Sequence, residues 1–502
     1  MLLSTLLENI GEYRLFGEKN TEISGICPDS KRIKPKELYV AIEGIKNDGH
    51  RYISEAFLRG ASAAVVSMSA INDGRIPNEV ENKTLIAVDD TRAAMAHLYS
   101  ALYGHSHKKI KMIGVTGTNG KTSVCRMLYE ILTRAGHTCG LIGTTGAMTQ
   151  NGRIDIRPAN VEANMTTPDP EELYKILDIM AGENTEFCIM EVTSHALALK
   201  KVEPIRFLLG IFTNLSEDHL DFHRDMEEYF ETKQKLFSLC EKALINYDDK
   251  YGRRLAEALK IPVYTCSSDG RSSDFTAVDI RQCGEKGIEY KLSSSMLRLR
   301  VRSRMLGDFN VKNTMQSAIG AHLLGVGACE IRMALADFSG IDGRLQKLKS
   351  LGRADFSVYI DYAHTPDALE KLILTARSFA LRGQRIVVLF GCGGDREKQK
   401  RSIMGNIATS LADFVIITSD NSRSEKTTDI INDILSGVKQ EACYTVIENR
   451  RDAIEYAIKN ARRGDIILLA GKGHEEYEID AFGKRPFSER LLVEELMKKY
   501  YC

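Results

Sequence analysis

Short apolar blocks recur along the chain, each closed by glycine or by a polar cluster. Between most of them apolar residues return at helical spacing. This alternation predicts strands and helices taking turns, hence an α/β chain built on mainly parallel sheets. In residues 1–107 the pattern predicts an amphipathic helix over 2–10, strands at 38–42 and 63–66, and a helix at 52–59 between them. Residues 108–343 predict strands at 112–115, 138–142, 187–191, 207–212 and 243–246, with a helix at 123–134 after the first. Residues 344–502 repeat the alternation, with strands at 358–360, 386–390, 414–418 and 466–470.

Ligands of parallel sheets bind beyond the carboxyl ends of the strands. The polar residues there are Glu191 with Thr193-Ser194-His195, Thr213-Asn214 leading to Asp218-His219, and Asn246 with Asp248-Asp249. In the last third they are Asp361 to Pro366, Gly391 to Arg396, Ser419 to Arg423 and Gly471 to Glu475. Four aligned strand ends of that kind suggest a second ligand-binding sheet.

Composition narrows the class of function. Lys+Arg 68 balance Asp+Glu 68, so no basic excess points to nucleic acid or an anionic membrane. The longest apolar runs, 207–212 and 466–470, are far too short to span a bilayer. The first residues lack a basic segment followed by an apolar block, and Glu8 interrupts them, so no signal peptide is expected. Eleven cysteines without a CxxC pair read as reduced thiols of a cytoplasmic protein.

The segment KMIGVTGTNGKTS at 111–123 carries the clearest chemistry. Strand, glycine turn, Lys-Thr and helix form a phosphate cradle. Backbone N–H groups and the helix N-terminus face the anion, Lys121 adds a point charge, and the Thr122 hydroxyl can sit on Mg2+. The strict P-loop has glycine where this chain has Val115. Glu191 suits Mg2+, and His219 is a candidate for a second metal. His219 and His223 lie four apart, but no HExxH pattern or third ligand at metal spacing supports zinc. From these residues alone, a nucleotide-hydrolysing switch protein remains a rival to an enzyme.

Ordered motifs span all three segments: DSKRIKPKELYVAIEG at Asp29, VTGTNGKTS at Val115, GLIGTTG at Gly140, MTTPDP at Met165, MEVTSHAL at Met190, FTNLSEDHLDFH at Phe212, INYDD at Ile245 and LGDFNVKN at Leu306. DGR at Asp342, DYAHTPDALE at Asp361, FGCGGDREKQKR at Phe390, DNSR at Asp420 and AGKGHE at Ala470 complete the set. By these motifs the sequence resembles the Mur ligase family of ATP-dependent amide ligases of peptidoglycan precursor synthesis. It is most similar to the branch that adds the third residue to UDP-MurNAc-L-Ala-D-Glu.

The resemblance implies a UDP-substrate-binding domain (1–107), a central P-loop-type ATPase domain with a mainly parallel sheet (108–343) and a Rossmann-like amino-acid-binding domain (344–502). It implies that ATP phosphorylates the D-Glu carboxylate and that a free amine attacks the acyl phosphate, in a cytoplasmic monomer. Gly117, Thr118, Asn119, Gly120, Lys121, Thr122 and Ser123 would hold ATP phosphates and Mg2+, with Asn310, Arg344 and Asp361 also on ATP. Thr122, Glu191 and His219 would hold metal, as would Lys233 once carbamylated. Lys121, Glu191, His219 and Lys233 would form the catalytic set. Ser30, Thr166, Thr167, Ser194 and Lys201 fall on positions facing the UDP-sugar-peptide. Arg396, Asn421, Arg423, Gly471 and Glu475 fall on the pocket for meso-diaminopimelate, where an arginine fork can hold the distal carboxylate.

Three positions depart from the family pattern. Ser422 replaces the proline of Asp-Asn-Pro-Arg, removing a fixed φ and freeing Arg423 to swing. Lys201 replaces an arginine, and Met165 an asparagine. These leave open L-lysine or another amine as partner, as in a divergent paralogue.

Overall fold

The computed structural model describes residues 1–44, 47–76, 83–156, 165–218, 222–348 and 354–502. Its strands lie in three main sheets and one hairpin. In the first, the strands run in the order Tyr13–Phe16, Thr84–Val88, Ala63–Ser67, Glu37–Val40, Gly25–Cys27. Only the first pair is antiparallel. The opening helix is a single α-turn, Leu3–Leu6, continued by a 3-10 turn, Leu7–Asn9, where the periodicity predicts one helix to residue 10. Leu3, Leu6, Leu7 and Ile10 all reach the core, so burial rather than helix length sets the pattern.

The second sheet has eleven strands. Seven central ones are parallel, in the order Phe275–Gln282, Val263–Ser267, Ala243–Asn246, Phe207–Phe212, Lys111–Thr116, Phe187–Glu191, Cys139–Gly143. Each end carries two antiparallel strands: Ile288–Ser293 and Leu299–Ser303 at one, Gly146–Thr149 and Gly152–Ile154 at the other. The α/β alternation does not reveal these four, because hairpins join them where it expects helices. Lys111–Thr116 lies between Phe187–Glu191 and Phe207–Phe212. Its neighbours both follow it in sequence, so the crevice of an open parallel sheet opens at its carboxyl end. Helices Lys121–Arg134 and Asp308–Leu323 cover one face through Val124, Leu128, Val311, Met315 and Ile319.

The third sheet orders Gln346–Lys347, Ser357–Asp361, Ile466–Ala470, Ile386–Phe390, Phe414–Ile417, Tyr444–Val446, parallel beyond the first pair. Its strands are apolar on both faces and need two layers of cover. Pro366–Phe379, Gln399–Leu411 and Thr427–Leu435 supply one layer, and Arg450–Lys459 and Glu489–Tyr501 the other.

Arg450 and Glu489, each 1% exposed, open these last two helices. Arg450 Nε donates to Glu489 Oε1 at 2.8 Å, and its terminal nitrogens donate to the carbonyls of Ser419 (3.0 Å) and Ala470 (2.8 Å). The guanidinium therefore ties two helices to two strand ends. Arg450→Met strands a buried carboxylate, and the expected loss in urea unfolding is about 3–5 kcal/mol.

Candidate active site

The strand Lys111–Thr116 delivers the glycine turn into the crevice. Gly117 has φ +147° and Gly120 has φ +86°, conformations that L side chains rarely adopt. A Cβ at Gly117 would lie 2.0 Å from Thr213 Oγ1, and one at Gly120 would lie 2.5 Å from Asn313 Oδ1. Both glycines are thus required by shape as well as by dihedral angle. The turn is braced from the next strand end. Thr118 N donates to the Asn214 carbonyl (2.9 Å), Asn119 N to Asn214 Oδ1 (3.0 Å), and Thr213 Oγ1 to the Asn119 carbonyl (2.6 Å). The N–H groups of Thr118 and Asn119 are therefore spent inside the protein, not turned to a ligand. The start of helix Lys121–Arg134 has Gly120 as its N-cap, which provides no side-chain cap. Its first-turn N–H groups have the character of an anion site.

Two lysines converge on the turn. Lys121 Nζ donates to the carbonyls of Gly117 (2.9 Å) and Thr118 (2.8 Å). Lys233 Nζ, on helix Met226–Gln234, donates to the same Gly117 carbonyl at 3.0 Å and lies 4.6 Å from the centre of the Tyr229 ring. Lys233 is 2% exposed. Burial, and then the Lys121 charge, hold its amine well below the ordinary lysine range, against the pull of Asp218. Burial also lowers Lys121, with Glu191 and Asp218 pulling the other way.

Glu191 ends its strand beside the cradle and is buried. Thr122 Oγ1 donates to its Oε2 (3.0 Å), Thr144 N to Oε1 (2.9 Å) and Thr144 Oγ1 to Oε2 (3.2 Å). Thr166 Oγ1 lies 3.2 Å from Thr144 Oγ1. Carboxylate and hydroxyl oxygens gather there, while His219 lies outside the described residues. Ser123 is buried in the same helix turn, and Asn310 donates to the Leu306 carbonyl (2.7 Å) while accepting from Asn313 Nδ2 (2.9 Å).

The third sheet reaches this crevice. Asn119 Nδ2 donates to Asp367 Oδ2 at 2.8 Å. Asp361 accepts the Leu345 N–H (2.6 Å), and burial raises its carboxyl against the pull of Arg344. The Arg344 guanidinium stacks 4.8 Å from the Tyr362 ring centre, and His474 lies 5.4 Å from the same ring. Charges of Glu475, Arg344, Asp420 and Arg396 all act on the Tyr362 phenol, so these loops share one neighbourhood.

Within it, Asn421 Nδ2 donates to Glu475 Oε2 (2.9 Å), and Arg423 Nη1 donates to the carbonyls of Gly394 (2.9 Å) and Asn421 (3.3 Å). Arg396 is exposed, and its side chain and Arg423 Nη1 both lie where a Cβ on Gly393 would come, at 3.7 and 3.0 Å. Gly471 accommodates the Asp420 carboxylate, 2.9 Å from where its Cβ would be. The missing proline does not leave Arg423 swinging. Arg423 has φ +53°, its N–H bonds the Ile479 carbonyl (3.1 Å), and the loop is clamped from below. Buried Arg401 holds both Glu425 oxygens (2.8 and 2.9 Å) and Asp433 (2.9 Å), while Glu425 accepts the Asp395 N–H (2.5 Å). A charged clamp does the work that a fixed φ does elsewhere.

In the segment of the first sheet, Ser30 Oγ donates to Glu55 Oε2 (2.9 Å) on helix Ile53–Leu58. Thr167 Oγ1 donates to the Glu191 carbonyl (2.8 Å) and accepts the Thr193 N–H (3.1 Å). Ser194 Oγ is buried without a hydrogen bond among the described residues. Lys201 and Met165, two of the departures, meet: Lys201 Nζ is 3.0 Å from Met165 Sδ and 2.8 Å from Asp169 Oδ1. Sequence reasoning gave no role to Thr144, Asp367 or Arg401, and placed Asn214 and Lys472 only among strand-end residues. Each acts across long sequence separations, and only the spacing of strand ends hints at them.

The Arg401 hydrogen bonds hold the Glu425 carboxyl down from 4.5 to about 2, despite an opposing desolvation. A depressed carboxyl contributes stability above its unfolded value and loses it as pH falls through the folded one. The melting temperature should therefore drop between pH 4.5 and about 2. In Glu425→Gln, calorimetry should show a lower melting temperature at neutral pH and a shallower decline in that window.

The family models agree with this layout. The Mur ligase middle domain matches residues 115–321, the Mur ligase glutamate ligase domain residues 343–473, and the Mur ligase family catalytic domain residues 22–103. The chain is 40% identical over 501 residues to the UDP-N-acetylmuramoyl-L-alanyl-D-glutamate--2,6-diaminopimelate ligase of Caldanaerobacter subterraneus subsp. tengcongensis, covering 99% of each. It is 38% identical over 504 residues to the ligase of the same name from Clostridioides difficile, covering 99% of this chain and 100% of that one. A solved structure of such a diaminopimelate ligase superposes with TM-score 0.68 at 26% identity, covering 100% and 99%. In fold alone, a Thermotoga maritima MurF ligase in complex with ADP superposes with TM-score 0.58 at 17% identity, covering 95% and 97%. With curated relatives matched along their whole length and family models across all three sheets, the chain belongs to the Mur ligase family.

Proposed function

We propose that the protein is an ATP-dependent ligase joining meso-diaminopimelate to the D-Glu of UDP-MurNAc-L-Ala-D-Glu, as a cytoplasmic monomer in peptidoglycan precursor synthesis. The observation that carries this reading is the placement of Arg423 and Glu475 on either side of Asn421. A guanidinium and a carboxylate one amide apart match the distal carboxylate and ammonium of diaminopimelate; L-lysine has no group for Arg423. Among the described residues no helix is long and apolar enough to cross a membrane.

A carboxylate is a poor electrophile, and phosphorylation supplies its leaving group. The uncapped helix start and Lys121 would bind the ATP phosphates. Arg344 and Asp361 from the far side of the crevice, and Asn310 from helix Asp308–Leu323 on the cradle's own side, would complete the nucleotide site. The oxygen set of Thr122, Glu191 and Thr144 fits Mg2+, a hard cation that takes oxygen ligands. Bound there, Mg2+ would neutralise charge developing on the transferred phosphoryl group. Burial and the Lys121 charge favour the uncharged amine of Lys233, the form that takes up carbon dioxide. Carbamylation would release a proton and place an anion beside Lys121. Ser194, whose hydroxyl has no hydrogen bond among the described residues, together with Ser30, Thr166, Thr167 and Lys201 would face the UDP-sugar-peptide.

The test incubates UDP-MurNAc-L-Ala-D-Glu, ATP and each amino acid, measuring phosphate release and product mass. An amide product with diaminopimelate is expected; phosphate without amide for every amine would sink the ligase reading. Product with lysine and none with diaminopimelate would leave Arg423 without its role. In Arg423→Ala, kcat/KM for diaminopimelate should fall about 10- to 100-fold, the loss of a charge-assisted hydrogen-bond pair. Lys233→Ala should lose activity and regain part of it with added short carboxylates. Full activity in that variant would exclude the carbamate.

A further inference from the structure

The buried charges behind the amine loops are not evenly matched. Lys472 is 0% exposed, on the loop after strand Ile466–Ala470. Its Nζ donates to Asn421 Oδ1 (2.9 Å) and to the Tyr477 carbonyl (2.8 Å). It lies 3.6 Å from Asp420 Oδ1 and 3.6 Å from Glu475 Oε2. Behind it Arg450 is paired with Glu489. Two cations thus meet three carboxylates, Asp420, Glu475 and Glu489, and one negative charge is left over.

The distribution of that charge follows from the contacts. Burial opposes the Asp420 charge, but Lys472 and then Arg450 hold its carboxyl below the ordinary value. Burial pushes Glu475 up and Asp420 adds to the push, with Lys472 pulling down. Arg450 and the Tyr362 phenol also face Glu475. The Asn421 amide has no freedom to flip, because its oxygen accepts both from Lys472 Nζ and from the Ile479 N–H (2.9 Å). Its NH2 is thereby turned to Glu475.

We propose that Lys472 is a positioning residue for amine recognition: it fixes the Asn421 amide and neutralises Asp420, leaving Glu475 as the carboxylate that receives the ammonium group of the incoming amino acid. This rests on the reading that the C-terminal loops take a diamino acid. The ligand supplies the third cation of the cluster, so its affinity depends on Glu475 being ionised. Removing Lys472 would raise the Glu475 carboxyl, and binding would return only at higher pH.

The experiment measures KM for ATP, UDP-MurNAc-L-Ala-D-Glu and diaminopimelate in the wild type and Lys472→Met, from about pH 6 to 10. Near neutral pH the KM for diaminopimelate should rise about 30-fold or more, with the other two within about twofold. The acid limb of its pH profile should move to higher pH. In a Glu475→Gln background, Lys472→Met should move no acid limb. Lys472→Gln, which keeps a donor for Asn421 and Tyr477 but not the charge, should show the same pH displacement and serves where the methionine variant does not fold. All three KM values rising together, or an unmoved acid limb, would overturn the role of Lys472. Wild type that forms no amide with diaminopimelate would instead overturn the proposed function, so the two failures are distinct.

Discussion

Two lysine Nζ atoms share the Gly117 carbonyl, and the burial of both beside it is the constraint on which the cradle depends. Burial disfavours charge on either amine, and Lys121 disfavours it further on Lys233. The turn therefore favours an anion beside it, next to a helix start that adds a partial positive charge of its own. A polyphosphate bound there, or a carbamate on Lys233, would supply that anion. The surrounding structure keeps this poised. Asn214 and Thr213 fix the turn from the neighbouring strand, and Glu191 is held by Thr122 and Thr144 at the edge.

The same logic, with opposite sign, recurs in the third sheet. There Arg450, Lys472 and Arg401 are buried, and each is matched to carboxylates and backbone carbonyls at strand ends. Buried ion pairs add little net stability over apolar packing, but a missing partner is costly. Their arrangement fixes the course of loops that packing alone would leave loose.

The central strands of the two parallel sheets were legible from apolar blocks closed by polar residues, because a strand buried on both faces has few other ways to be written; Val263–Ser267 and Tyr444–Val446, less buried, were not. The cradle was legible too, since glycine, lysine and threonine at fixed offsets have a mechanical meaning. The outer strands 275–303 were not, although Leu299, Val301 and Ser303 alternate with exposed arginines. Their period of two competes with the period of whole α/β units, and the larger period dominated the reading. Thr144 and Arg401 were invisible for a different reason: a side chain that braces another is ordinary in sequence and acquires meaning only from its partner. The expectation of a loose Arg423 failed in the same way, since Glu425 and Arg401 lie on separate elements.

The Asn119–Asp367 hydrogen bond joins the turn to the first turn of the helix that follows Asp361. It is a single bond between groups on two different sheets, at the point where nucleotide phosphates would enter. A ligand that displaced the Asn119 amide from Asp367 would also change the free energy of holding the third sheet against the second. By linkage, the orientation of the third sheet would then change the affinity for that ligand by the same factor.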